Sequence, residues 1–223
     1  MFQYFLYIGP AILLALWAQY RVKSAYASAM QLPAPLSGAA AARHVLNSAG
    51  LNQVEIETVP GEMSDHYDPR DRVLRLSPDV YNRQTLAAVG IAAHEAGHAI
   101  QHANSYAPLT IRNAAVPLAG FGAGPGIWMI VLGAIFSVQM LVLAGIALFS
   151  CVVFFQLINL PVEFDASNRA KRQLVELEIC DAEQMKSVIN VLNAAAWTYV
   201  AATLQSVLTL LYYLHVFTGS DRE

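Results

Sequence analysis

Hydrophobic and polar positions follow two regimes along this 223-residue chain. Met1 to Tyr20, Asn113 to Val162 and Ser187 to Leu214 contain no Asp, Glu, Lys or Arg. A helix needs roughly 20 apolar residues to cross a bilayer, so the outer stretches fit one span each and the middle one fits two. The pattern predicts four transmembrane helices, near Phe2 to Tyr20, Val116 to Phe136, Met140 to Leu160 and Ala195 to Phe217, the middle pair turning tightly at Ser137 to Gln139.

The polar remainder shows shorter periods. Pro33 and Pro35 lie too close together for a helix and mark a linker. Ser37 can cap a helix running through Ala42 and Leu46 to a stop at Gly50. Val54 to Glu57 alternates as a strand does, and Pro60 to Asp71 reads as turns. Arg72 to Ser77 is a second strand candidate. Its arginines suit an exposed edge, which either resists aggregation or accepts an extended peptide. Ser77-Pro78-Asp79 opens a helix, and an alanine-rich helix is expected from Thr85 to Ala103. Asp181 to Gln184 resembles a capping box before the last helix. The glycines of Gly120 to Gly126 fit close helix packing, with a kink at Pro125, better than a phosphate loop, since no Lys-Ser or Lys-Thr follows.

Composition agrees with a membrane protein, since hydrophobic residues make up 56% and charged ones 13%, against about 25% charged in a soluble domain. The segments beside the spans collect Arg21, Lys23, Arg112, Arg169, Lys171, Arg172 and Lys186. By the positive-inside bias this puts both termini outside and residues 21 to 115 and 161 to 194 in the cytoplasm. A cleaved signal peptide fits Met1 to Tyr20 poorly, because no positive charge precedes the apolar run and two follow it. The expected organisation is span 1 over 1–20, a catalytic region over 21–115, spans 2 and 3 over 116–160, a cytoplasmic segment over 161–194, span 4 over 195–217 and a tail over 218–223. Cys151 and Cys180 do not suggest a disulfide in a reducing compartment, and a net charge of −3 without a basic stripe argues against a nucleic-acid partner.

The candidate chemistry lies in His94-Glu95-Ala96-Gly97-His98. On a helix the two histidines are about 40° apart around the axis and about 6 Å along it, so both imidazoles can meet one ion. Glu95, about 100° from His94, sits beside that ion as a base for water. Ala96 and Gly97 leave room for other backbone or for substrate to approach. The metzincin pattern fails because Gln101 and Asn104 stand where it needs glycine and histidine. His102 lies about 12 Å from His94 along the axis, too far to share the ion.

A third ligand is sought beyond the third span. Glu163 is the first charge after the uncharged Asn113 to Val162, and the topology returns it to the face that carries the motif. A carboxylate at such a boundary needs pairing, by a metal or by Arg169 or Arg172 at helical spacing. Transition-state charge needs a further donor, for which His66, Tyr67, His102, Tyr106 and Arg169 are candidates. His66, in the turn before the presumed edge strand, is taken as the catalytic one.

His94 to His98 with Ala99-Ile100-Gln101, Asp65 to Pro69 before it, and Leu160-Pro161-Val162-Glu163-Phe164-Asp165-Ala166-Ser167 after it resemble the YugP-type bacterial membrane neutral zinc metallopeptidases. The likeness covers nearly the whole chain. More distantly the chain is similar to the HtpX and CAAX-prenyl-protease metallopeptidases, in which a later glutamate completes the zinc shell. The resemblance implies Zn2+ held by His94, His98 and Glu163, with Glu95 as the general base. Those distant relatives carry an acidic residue four places after the ligand glutamate to orient a zinc histidine. Here that place is Ser167, and Asp165 would face elsewhere on a regular helix.

The expected fold class is thus a mainly α integral membrane protein, with four transmembrane helices and a small α+β zincin-like catalytic region facing the cytoplasm. The expected function is a zinc metalloendopeptidase of the bacterial inner membrane, acting on peptides or membrane proteins. The alternative is a non-catalytic membrane scaffold with a structural metal, which would need no Glu95 and would usually offer four protein ligands.

Overall fold

The computed structural model describes residues 2–218. Its elements run α1 (Phe2–Ala29), α2 (Gly38–Ser48), β1 (Glu55–Thr58), β2 (His66–Asp68), β3 (Val73–Leu76), α3 (Pro78–Asn82), α4 (Leu86–Ala103), α5 (Ala107–Phe121), α6 (Ile127–Ile135), α7 (Gln139–Glu176) and α8 (Ala182–Thr218). Among the described residues, three helical stretches are long and apolar enough to cross a membrane: Ala107–Ile135, Gln139–Glu176 and Ala182–Phe217. Helix α1, expected as the first span, is not one of them. The expected tail over 218–223 lies, beyond Thr218, outside the described residues.

The chain divides into two compact units, one of Met1–Ala18, Pro108–Pro161 and Thr198–Glu223, the other of Gln19–Ala107 and Val162–Trp197. In the first, α5 passes into α6 through a π-helical turn, Gly122–Gly126, which contains the expected Pro125. A Cβ on Gly145 would lie 2.7 Å from the Gly126 carbonyl oxygen, so α6 and α7 approach backbone to backbone, the packing that small residues permit. Ile130, Val142, Ile146, Phe149 and Val153 form its core. Trp128, Ile135, Phe136 and Met140 remain exposed, as an apolar surface meant for lipid requires.

The second unit is built around α4. Thr85 caps it by accepting from the Ala88 N–H, and its alanines let neighbours close in on every side. Ala41, Ala42, Val45 and Leu46 of α2, Leu74 and Leu76 of β3, Leu174 of α7 and Val188 of α8 share its core. Helix α2 has the expected Ser37 cap, and Gly50, with φ of 73°, follows its end.

The sheet corrects one expectation. Strand β3, expected as an open edge, is the central strand of the order β1-β3-β2, parallel to β1 and antiparallel to β2. The covering strand β2 lies inside the segment read as turns, where three mostly polar residues show no usable alternation. Arg75 therefore does not guard an edge. It bridges to Glu57 next to it on β1, Asp68 on β2 and Asp71 of the connecting turn, and those carboxylates raise the already high pKa of its guanidinium further.

Candidate functional site

One turn of α4 presents His94 and His98, and Glu163 faces them from α7. His94 Nε2 lies 3.3 Å and His98 Nε2 3.6 Å from Glu163 Oε2. One ligand atom from each of the three side chains falls within 4.8 Å of the others, a group able to hold a metal ion. Glu163 and His98 are buried. Burial raises the Glu163 pKa, but hydrogen bonds and charge from His94 and His98 outweigh it and hold the carboxyl well below the usual range. Burial in turn pushes His98 down, and the Glu163 contact outweighs that to leave it raised. Two imidazoles and one ionised oxygen are a donor set that suits zinc.

Gly97 makes this approach possible. A Cβ there would lie 2.7 Å from the Ala166 carbonyl oxygen, so any side chain would push α7 off α4. The room that the small residues of the motif were expected to leave is thus filled by helix backbone.

Behind the three donors stands polar support that the sequence did not assign. The His94 Nδ1 meets Ser167 Oγ at 3.1 Å, and His98 Nδ1 meets Gln101 Oε1 at 3.0 Å. Gln101 donates through Nε2 to Val162 O and Asp165 Oδ2, each at 2.8 Å. Arg169 donates to the same Asp165 oxygen, so it pairs there and not with Glu163. Helical spacing carried the signal for two of these, since Gln101 is three residues after His98 and Ser167 four after Glu163. Both ring nitrogens of each histidine are thereby accounted for, one by support and one by the cluster, as zinc histidines require.

Glu95, also buried, belongs to a different contact. Its Oε2 accepts from the Tyr67 backbone N–H at 3.1 Å, so β2 turns that N–H away from β3 and toward α4. Burial is the main reason the Glu95 pKa is raised, with the two histidines pulling the other way. The Tyr67 hydroxyl meets His102 Nδ1 at 2.9 Å, which places His102 beside β2 and not in the metal cluster. Tyr106 lies under the Arg169 guanidinium, 5.7 Å from ring centroid to carbon. His66 is not brought to the cluster. It is exposed, and its Nδ1 is 2.8 Å from the Ser64 carbonyl oxygen.

Comparison with known proteins agrees with this geometry. Residues 4–218 match the family described as "Putative neutral zinc metallopeptidase". The chain is 42% identical over 222 residues to the "Putative membrane protease YugP" of Bacillus subtilis (strain 168), covering 98% of this chain and 99% of that protein. No solved structure matches significantly. The chain belongs to this family of neutral zinc metallopeptidases, and zinc is its metal.

Proposed function

Taking membership of that family as premise, we propose that this protein is a membrane zinc endopeptidase in which His94, His98 and Glu163 hold the ion and Glu95 is the general base. The observation that carries the reading is the convergence of those three donors beside a buried carboxylate that is not one of them. Bound there, zinc supplies Lewis acidity, polarising a peptide carbonyl and lowering the pKa of water to about 7. Glu95 takes the proton from the attacking water and delivers it to the leaving amine. The Tyr67 N–H fixes the orientation of the Glu95 carboxylate, and burial, by raising its pKa, makes it a better proton acceptor. A purely structural site would use four protein ligands, whereas the group found among the described residues has three.

The reading includes a topology. Phe2 to Tyr20 forms a fourth span, both termini lie outside, and residues 21–115 and 161–194 face the cytoplasm of a bacterial inner membrane, following the Lys and Arg that flank the spans. Substrates are peptides or membrane proteins cleaved on that side.

Metal analysis together with a Glu95→Gln variant is the test. The expected result is one zinc per chain in both forms, with peptide hydrolysis abolished in the variant. Hydrolysis at the wild-type rate by Glu95→Gln would remove that carboxylate from the mechanism.

A further inference from the structure

Gln101 is fully buried, and the chemistry of its neighbours decides which way its amide points. Its Nε2 stands 2.8 Å from Val162 O and 2.8 Å from Asp165 Oδ2. A carbonyl and an ionised carboxylate only accept, and an amide nitrogen has two hydrogens to give. Turned over, the amide would press its oxygen against two acceptors. Arg169, donating to the same Asp165 oxygen, holds that carboxylate in place.

With the nitrogen so fixed, Gln101 Oε1 has to be the atom facing His98 Nδ1, 3.0 Å away. Because Oε1 can only accept, the proton of the neutral ring sits on Nδ1. The lone pair is left on Nε2, the nitrogen turned toward Glu163. His94 has no comparable instruction, since the Ser167 hydroxyl can donate or accept.

We propose that Gln101 and Asp165 are positioning residues for zinc: Asp165, anchored by Arg169, orients the Gln101 amide, and that amide sets the tautomer and ring angle of His98. This rests on the zinc site proposed above. Neither residue touches substrate or metal. The charge acts on the ligand through one interposed amide.

The test measures the zinc dissociation constant of the full chain by chelator competition, and the visible absorption of the cobalt(II)-substituted protein. Gln101→Met, close in volume, is expected to weaken zinc binding about 10- to 100-fold and to shift the cobalt bands. Asp165→Asn, at a partly exposed position, is expected to weaken zinc binding by a smaller factor. In the Gln101→Met background, adding Asp165→Asn should change nothing further, since the amide through which it acts is gone. A wild-type chain that binds no zinc would overturn the inference and the reading beneath it together. A zinc-binding wild type with an unaltered dissociation constant and spectrum in Asp165→Asn, or with losses that add in the double variant, would overturn the inference alone. If Gln101→Met does not fold, Asp165→Asn decides the matter by itself. A role in packing only would move thermal stability and leave both readouts where they were.

Discussion

Helix α4 is gripped along two seams that are built in opposite ways. Toward α7, backbone meets backbone at Gly97 and Ala166, and behind that contact His98, Gln101, Glu163 and Ser167 are buried with their polar atoms in defined partnerships. Toward β2, one backbone hydrogen bond from Tyr67 and one hydroxyl–imidazole contact tie together groups that are half-exposed apart from Glu95. In the proposed reading the first seam holds the zinc ligands, and the second holds the general base, Glu95, with a strand beside it. The difference teaches that one helix can meet a densely packed, rigid seam on one face and a looser, more exposed, adjustable one on the other.

The largest effects should come from breaking the rigid seam. Glu163→Gln keeps the shape but removes the ionised oxygen. Zinc affinity should fall by more than the about 100-fold expected at most for a residue behind the ligands, as chelator competition will show. Gly97→Val comes next. Its branched side chain meets the Ala166 carbonyl, and overpacking of this kind costs about 1–3 kcal/mol. Thermal unfolding should register that cost, and zinc content should fall with it. If Gly97→Val retains full zinc and stability, the close approach is not what holds the site.

Acid should separate the metal from the fold. Zinc needs neutral imidazoles, so it leaves as pH falls through the histidine range, whose ordinary value is 6.5 and above which His98 is raised. The fold does not leave with it. A raised histidine contributes stability that is fully present below 6.5 and is lost only as pH rises through its folded pKa. Glu163, held below its ordinary 4.5, contributes stability above that value and loses it as pH falls further. On the other seam, Asp68 is lowered from 3.8, chiefly by the Arg70 backbone N–H, then against burial with help from Arg75. Zinc release, driven by protonation of its histidines, should therefore precede loss of circular dichroism, which begins below about pH 4. Coincident transitions would mean that the ion alone holds the two helices together.

Much of the rigid seam was legible in the sequence and little of the other. His94, His98 and Glu163 stood out because metal chemistry demands particular residue types at helical spacing, and because Glu163 breaks a long uncharged run. Helices α2 and α3 announced themselves by a cap and a proline, and α4 by its alanines. The support behind the ligands was hidden, since it depends on which residues of α7 lie opposite Gln101, some 61 to 64 positions away. Ser167 looked like a defect in a pattern built on an acid, yet its hydroxyl at that place reaches His94 Nδ1. Asp165 meets Gln101 and Arg169, and reaches His98 through the Gln101 amide. Strand β2 was missed because three residues carry no period, and with it went the edge assignment of β3. Ser167→Ala measures how much that unreadable support contributes. Since the hydroxyl fixes no tautomer, the loss of zinc affinity should sit near the lower end of the about 10- to 100-fold range.

The smallest effects should lie on β2, where adjacent residues face opposite ways. Tyr67 sends its side chain to His102, while the His66 ring meets the Ser64 carbonyl of its own turn. Tyr67→Phe deletes one hydrogen bond and keeps the ring and the backbone N–H to Glu95, so it should cost about 1 kcal/mol of stability and leave zinc content intact. His66→Ala, at an exposed position, should stay within about 0.5 kcal/mol and hydrolyse peptides as the wild type does. The pair thus tests whether the adjustable seam acts through its backbone or its side chains. A His66→Ala variant with normal zinc but a depressed turnover would show that the exposed face of β2 takes part in the reaction, and the division of labour between the two seams would have to be redrawn.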